Sequence, residues 1–321
     1  MGRVSRSAPM GEGAPRGADL ALLVALATLW GASYTFIKLG VSTIPPVTFI
    51  AGRTAIAGIL LLAVMRIRRL SLKYDRASWR HFAIQAMFNS VVPFTLIAWA
   101  EQRVDAGLAT ILNSTSPIQA FLLTGLVTRH ERLTRWQTFG VVAGLGGTCL
   151  VVGVEALRGF GQDLAAQLAI VAAASCYAAA AVYGRRFKDR TPLAPATGSM
   201  LCGAVVLTPL SLAIERPWRS SPSAGSVAAL LALAVLCTAL AFVIYFHLVA
   251  TIGTIGTTAQ AYLRVPVGVA IGVLFLDEKL SPVAWIGFGG VVAGVAAMTY
   301  RPADREPPGR LSTSDRPGVA N

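Results

Sequence analysis

Apolar runs of about 17–24 residues recur along this chain, broken by short stretches rich in Arg, Gly and Pro. Each run is long enough to cross ~30 Å of hydrocarbon at about 1.5 Å per helical residue. The pattern predicts ten spans, at 18–39, 46–66, 82–100, 106–128, 136–155, 164–184, 192–214, 225–249, 256–276 and 282–300. The ten-residue alternation of an outer-membrane barrel is missing. The expected fold is therefore all-α and integral to the membrane, with ten transmembrane helices. Residues 1–17 and 301–321, rich in Gly, Pro, Ser and charge, read as disordered tails.

The two halves of the chain echo each other. Trp30-Gly31-Ala32-Ser33-Tyr34 in the first half corresponds to Tyr177-Ala178-Ala179-Ala180-Ala181 in the second, and Glu131-Arg132-Leu133-Thr134 corresponds to Glu278-Lys279-Leu280-Ser281. Both comparisons give an offset of 147 residues. The units are residues 18–155 and 164–300. Five spans in each make the count odd, so the second unit enters the membrane from the opposite side. Two inverted five-helix repeats place a binding site between them and give alternating access. Inversion also sets Glu131 and Glu278 some 30 Å apart on opposite faces, which excludes them as an acid–base pair.

Composition agrees with a membrane setting. Apolar residues make up 55% of the chain, charged residues 13%, and mean hydropathy is +0.62. A soluble domain carries roughly 25% charged residues. The net charge of +13 raises the question of nucleic acid. With the N-terminus placed in the cytoplasm, however, 20 of the 28 Lys and Arg fall on the cytoplasmic side and six outside, leaving Arg53 and Arg264 within the membrane. That bias is the positive-inside rule. It explains the charge through topology and anionic lipid, excludes a nucleic-acid partner, and puts both termini in the cytoplasm. Cys149, Cys176, Cys202 and Cys237 each fall inside a span without metal or redox spacing. The run from Leu20 to Ile37 is too long for a signal peptide and reads as an uncleaved first span.

Trp30 through Lys38, Pro45-Pro46 and Arg53 to Ala57, then Ser116-Pro117 with Glu131-Arg132-Leu133-Thr134 and Gly140, then Pro266 with Glu278-Lys279-Leu280, together resemble the EamA-type transporters of the drug/metabolite transporter superfamily. The resemblance runs over about residues 20–300. It implies ten helices in two inverted repeats, and a cavity walled by spans one, three, four, six, eight and nine. It also implies export or exchange of small metabolites, such as amino acids or related compounds, across the plasma (inner) membrane of a bacterium.

Several polar residues fall inside the expected spans, where each needs a partner or a wet cavity. Asn89, Asn113, Ser116, Gln119, Gln260 and Tyr262 lie on spans three, four and nine, and Trp30, Tyr34, Tyr177 and Tyr245 offer aromatic walls. Arg264, deep in span nine, is read either as a contact for a substrate carboxylate or phosphate, or as a structural tie to helix carbonyls or to Glu101 or Asp105. Arg53 is expected to snorkel toward the outer interface, and Lys38 to anchor there. Pro117 and Pro266 are expected to kink spans four and nine, as gates or as static bends. His247 is the one histidine in a span and the candidate proton switch, although a neutral histidine near the cytoplasmic end is the plainer reading. Gly140/Gly144 and Gly290/Gly294 are small-residue faces for packing within the monomer or in a homodimer.

No carboxylate is expected mid-span, which fits a facilitator or a weakly coupled exporter. No cofactor, metal or catalytic residue is expected, and ATP-binding loops are missing from the sequence. The alternative function is an integral-membrane enzyme acting on a lipid-linked substrate, which would need clustered His, Asp or Glu at one face.

Overall fold

The apolar runs become helices whose ends are set by local polar chemistry. The computed structural model describes residues 17–72, 74–113, 115–116, 119, 123, 135–152, 163–187, 190–191, 193–251, 260, 263–264 and 282–299. All regular structure among them is helical. The expectations for Glu131, Glu278, Pro117, Tyr262, Pro266 and the two tails, apart from Gly17, fall outside the described residues.

In chain order the helices are α1 (Gly17–Gly40), α2 (Pro46–Ile67), α3 (Arg76–Ala86), α4 (Val92–Ala100), α5 (Ala106–Asn113), α6 (Arg135–Val152), α7 (Leu164–Gly184), α8 (Leu193–Ile214), α9 (Ala224–Ala234), α10 (Ala241–Thr251) and α11 (Pro282–Thr299). A π-helical turn, Met87–Val91, joins α3 to α4, and another, Val235–Leu240, joins α9 to α10. Among the described residues six helical rods are long and apolar enough to cross a membrane: Gly17–Gly40, Pro46–Ile67, Arg76–Ala100, Leu164–Gly184, Leu193–Ile214 and Ala224–Leu248. Their outward faces carry side chains such as Ile59, Leu164 and Val205, all largely exposed, as a lipid-facing surface requires.

Three local features shape the helices, and the first moves a boundary away from the hydrophobic pattern. The third rod begins at Arg76, not at residue 82. Asp75 caps it by accepting from the Ser78 backbone N–H at 3.1 Å, and the same carboxylate takes the Ser78 hydroxyl. Those two bonds hold the Asp75 carboxyl below the usual carboxylate range. Next, the π turn at Met87–Val91 is followed by Pro93, which has no N–H to donate and whose ring crowds the preceding turn; a wider turn relieves both. Finally, Glu215, just past α8, accepts from the backbone N–H groups of Val47 and Thr48 at 3.0 and 2.7 Å. One carboxylate thus caps the N-terminus of a distant helix, where the helix dipole favours negative charge.

Helices of the first half pack on helices of the second. α1 lies against α9 and α10, α2 against α8 and α9, α4 against α7, and α6 against α11. The buried side chains Phe49, Ile50, Leu61, Met65, Ile170, Met200, Leu207 and Leu233 fill this seam.

Among the described residues the α6–α11 contact brings two helix backbones closest together. A Cβ built on Gly294 would sit 2.6 Å from the Gly144 backbone nitrogen and 2.7 Å from the Gly140 oxygen. The small-residue faces are thus used inside one chain, backbone against backbone. Gly289, five residues earlier and on another face of α11, has nothing within 4 Å of such a Cβ. Gly294→Ala is expected to destabilise the detergent-solubilised protein by about 1–3 kcal/mol, the usual cost of overpacking. Gly289→Ala is expected to leave the thermal midpoint unchanged or slightly raised.

Candidate functional site

The polar residues inside the bundle gather where the two halves meet. Tyr34, in the C-terminal third of α1, is buried, and its hydroxyl oxygen accepts from Asn113 Nδ2 at 2.6 Å. The amide oxygen of Asn113 is itself buried and has no hydrogen-bond partner among the described residues. Ser116 donates to the Asn113 carbonyl at 2.6 Å. Gln119 donates to Thr115 Oγ1 at 3.0 Å, and its amide oxygen accepts from Ser175 on α7. Asn113, Ser116 and Gln119 therefore form one polar strip facing α1 on one side and α7 on the other.

Arg264 lies across α1. Its Nε donates to Gln260 Oε1 at 2.9 Å, one helical turn back, and its guanidinium carbon stands 4.8 Å from the centre of the Trp30 ring. A Cβ on Gly31 would lie 3.2 Å from the Arg264 carbonyl oxygen, so a residue without a side chain is what lets the two backbones come this close. The sequence offered Glu101 or Asp105 as structural partners for Arg264; its described partners are Gln260 and Trp30 instead. Trp30 also packs on Tyr245 (5.6 Å, 40°) and edge-on to Phe242 (6.2 Å, 79°), both from α10. Tyr177 packs against Phe94 at 6.4 Å.

Arg53 departs from expectation. It does not snorkel. Only 5% exposed, it points into the seam, donates from Nε to Thr238 Oγ1 at 2.9 Å, and lies 3.7 Å over the Phe94 ring. The Thr238 hydroxyl in turn donates to the Leu233 carbonyl at 2.8 Å, a five-residue reach across the wide π turn. The helical phase of α2 decides this: Arg53 shares a face with the fully buried Phe49, Ile50 and Ala57, so its stem runs into protein and not along lipid.

The remaining candidates lie apart from this cluster. Asn89 is partly buried on the first π turn. His247, half exposed on α10, stands 3.8 Å from Asp19 Oδ1 in the first turn of α1, an ion pair only when the imidazole is protonated. Lys38 does anchor, but to protein: its Nζ donates to the carbonyls of Glu101 and Val104, at 2.8 Å each.

Thr238, Phe94 and Phe242 were missing from the sequence-derived set, and Glu101 entered it only as a possible partner for Arg264. Phe242, Tyr245 and Phe246 form a helical stripe that a search for aromatic spacing would find. Nothing local in the sequence marks Thr238, whose role comes from a partner 185 positions away.

Comparison with known proteins gives a consistent result. The sequence profile of the EamA-like transporter family matches residues 18–153 and again 164–300. The inner membrane transporter YedA of Escherichia coli (strain K12) is 27% identical over 86% of this chain and 89% of its own length. The transporter YoaV of Bacillus subtilis is 24% identical over 87% and 95%. A probable terminal-alkyne amino-acid exporter of Streptantibioticus cattleyicolor is 29% identical over 65% of this chain and 69% of its own. A protein of known crystal structure shares the fold, with a TM-score of 0.69 over 88% of this chain and 96% of that one, at 20% identity.

Removing the Thr238 hydroxyl leaves the Arg53 Nε–H without its acceptor in a buried site. Thr238→Val, nearly isosteric, is expected to cost about 1–3 kcal/mol. Thermal unfolding in detergent checks this, and the double variant Arg53→Met/Thr238→Val is expected to recover part of the loss.

Proposed function

The chain belongs to the EamA-like transporter family, and from that premise we propose that it exports or exchanges small zwitterionic or anionic metabolites, amino acids and related compounds among them, by alternating access between two inverted repeats. The observation that carries this reading is the juxtaposition at the seam of Arg264, Trp30, Tyr34 and Asn113. Arg264 keeps its terminal nitrogens free of hydrogen bonds among the described residues and offers a fork for a carboxylate. The unpartnered Asn113 amide oxygen offers an acceptor for a substrate N–H. Trp30, Tyr245 and Phe242 supply an apolar wall. A donor fork, an acceptor and an aromatic wall suit a molecule that is charged at one end and apolar at the other. The amino-acid exporter among the relatives points the same way.

The seam location supports this mechanism. The site takes Trp30, Tyr34 and Asn113 from the first half and Phe242, Tyr245 and Arg264 from the second, so rocking the halves would expose it first to one side and then to the other. The proposed setting is the inner membrane of a bacterium, with both termini cytoplasmic and Lys38 and Glu101 at the outer end. Transporter-named relatives favour this reading over an enzyme acting on a lipid-linked substrate.

The test is reconstitution into liposomes and counterflow of a panel of labelled amino acids and organic acids without ATP. Uptake of at least one is expected. Arg264→Ala is expected to weaken substrate affinity about tenfold to a hundredfold, the range for a lost charge-assisted hydrogen bond, with thermal stability unchanged. A parallel loss of folding would assign Arg264 a structural role. No counterflow of any of these compounds would remove the proposed substrate class.

A further inference from the structure

Glu101 ends the third rod at the edge of the apolar segment, where the sequence reads as a solvated turn. The structure buries it completely: its exposure is 0%. Neither carboxylate oxygen has a hydrogen-bond partner among the described residues. This is the reverse of the usual treatment of a buried carboxylate, which is paired or hydrogen-bonded because an isolated buried charge is too costly.

Cations are nearby but committed elsewhere. Lys38 on α1 gives its ammonium hydrogens to the backbone carbonyls of Glu101 and Val104 and stands 3.9 Å from Asp105. Arg53 on α2 is turned to Thr238 and Phe94. Arg103, in the same turn, lies over Trp99 and pairs with Asp163 at 3.6 Å. The groups whose charge reaches the Glu101 carboxyl are Lys38 and Arg53, with Tyr34 the nearest titratable hydroxyl on α1. None of their side chains makes a hydrogen bond to either carboxylate oxygen.

We propose that Glu101 is a proton-binding site: the carboxyl is neutral while this end of the bundle is closed, and it releases its proton to water when this end opens. On closure a carboxylate oxygen takes a proton from water and an O–H bond forms; on opening that bond breaks, the proton returns to water, and the hydrated carboxylate is charged again. One proton enters with each closure. Closure at this end is therefore favoured at low pH and lost as pH rises. The turn that carries Glu101 also carries both carbonyls gripped by Lys38, so opening the turn frees the end of α1, which bears Tyr34 and Trp30 one to two turns away. The proposal rests on the alternating-access reading and adds a coupling ion to it.

Infrared difference spectroscopy on the full-length protein in nanodiscs tests the site directly. Wild type is expected to show, at neutral pH, the carbonyl stretch of a neutral carboxylic acid that disappears as pH rises and is missing from Glu101→Gln. Hydrogen exchange tests the coupling. Protection of the amides of residues 101–104, corrected for intrinsic exchange, is expected to fall with rising pH in wild type, by up to about tenfold per pH unit, the limit for one linked proton. In Glu101→Gln it is expected to stay flat. Wild type showing only ionised carboxylate at neutral pH overturns the proposal without recourse to any variant. So does a Glu101→Gln protein with the wild-type pH dependence. Neither measurement requires transport: an intact proton signal with no amino-acid counterflow would count against the substrate reading alone.

Discussion

A charge inside a membrane-spanning bundle has to be answered by the bundle itself, and Arg53 is where this chain meets that demand most fully. Its guanidinium is held by a hydroxyl from the π turn between α9 and α10 and by an aromatic face from α4. Three segments distant in sequence are thereby fixed at one point. The surrounding seam follows the same logic: Tyr34 with Asn113, Gln119 with Ser175, and Arg264 with Gln260 and Trp30 are polar or cationic groups matched by neighbours within the protein. Lipid contributes nothing to these bonds, so the helices that carry them cannot separate without leaving polar groups unpaired.

Among the described residues six buried side chains keep a polar atom unmatched: Gln85, Ser90, Thr95, Glu101, Asn113 and Arg190. The Asn113 amide oxygen and the Glu101 carboxylate are buried without donors among the described residues. In a soluble core such atoms would be liabilities. In a protein that must receive a visitor, they mark where the visitor supplies what the fold withholds. One lies in the aromatic-walled seam and the other at its end, which separates the proposed place for a substrate from the proposed place for a coupling ion.

The rods themselves are plain in the hydropathy pattern. α1, α2, α7 and α8 begin and end within two residues of the apolar runs, because hydrocarbon thickness dictates length. Tyr34, Asn113, Gln119 and Arg264 were also recoverable, since a polar residue in an apolar run is conspicuous. Direction was not recoverable. Whether Arg53 reaches for water or for Thr238 depends on which face of α2 meets α9, and whether Glu101 is wet depends on how Lys38 closes the turn over it. The Asp75 cap was readable from Asp-x-x-Ser and went unused, which put the start of the third rod six residues late. The π turns left no periodic trace, because one extra residue in a turn is invisible to a hydropathy window.

Those two turns carry a mechanical meaning. Val235 follows Met87 by 148 residues, close to the spacing of the sequence echo, so each half holds one helix wound out by a residue. Pro93 keeps the first turn wide by covalent structure, since it has no N–H with which to tighten the ladder. The second has no such lock. Its width is tied to Thr238, which reaches back to Leu233 and across to Arg53. Tightening it to an ordinary α turn would swing Thr238 by about 100° about the helix axis and away from the guanidinium. In one half the helical register is thus a fixed dimension, and in the other it is a latch closed by a single hydroxyl.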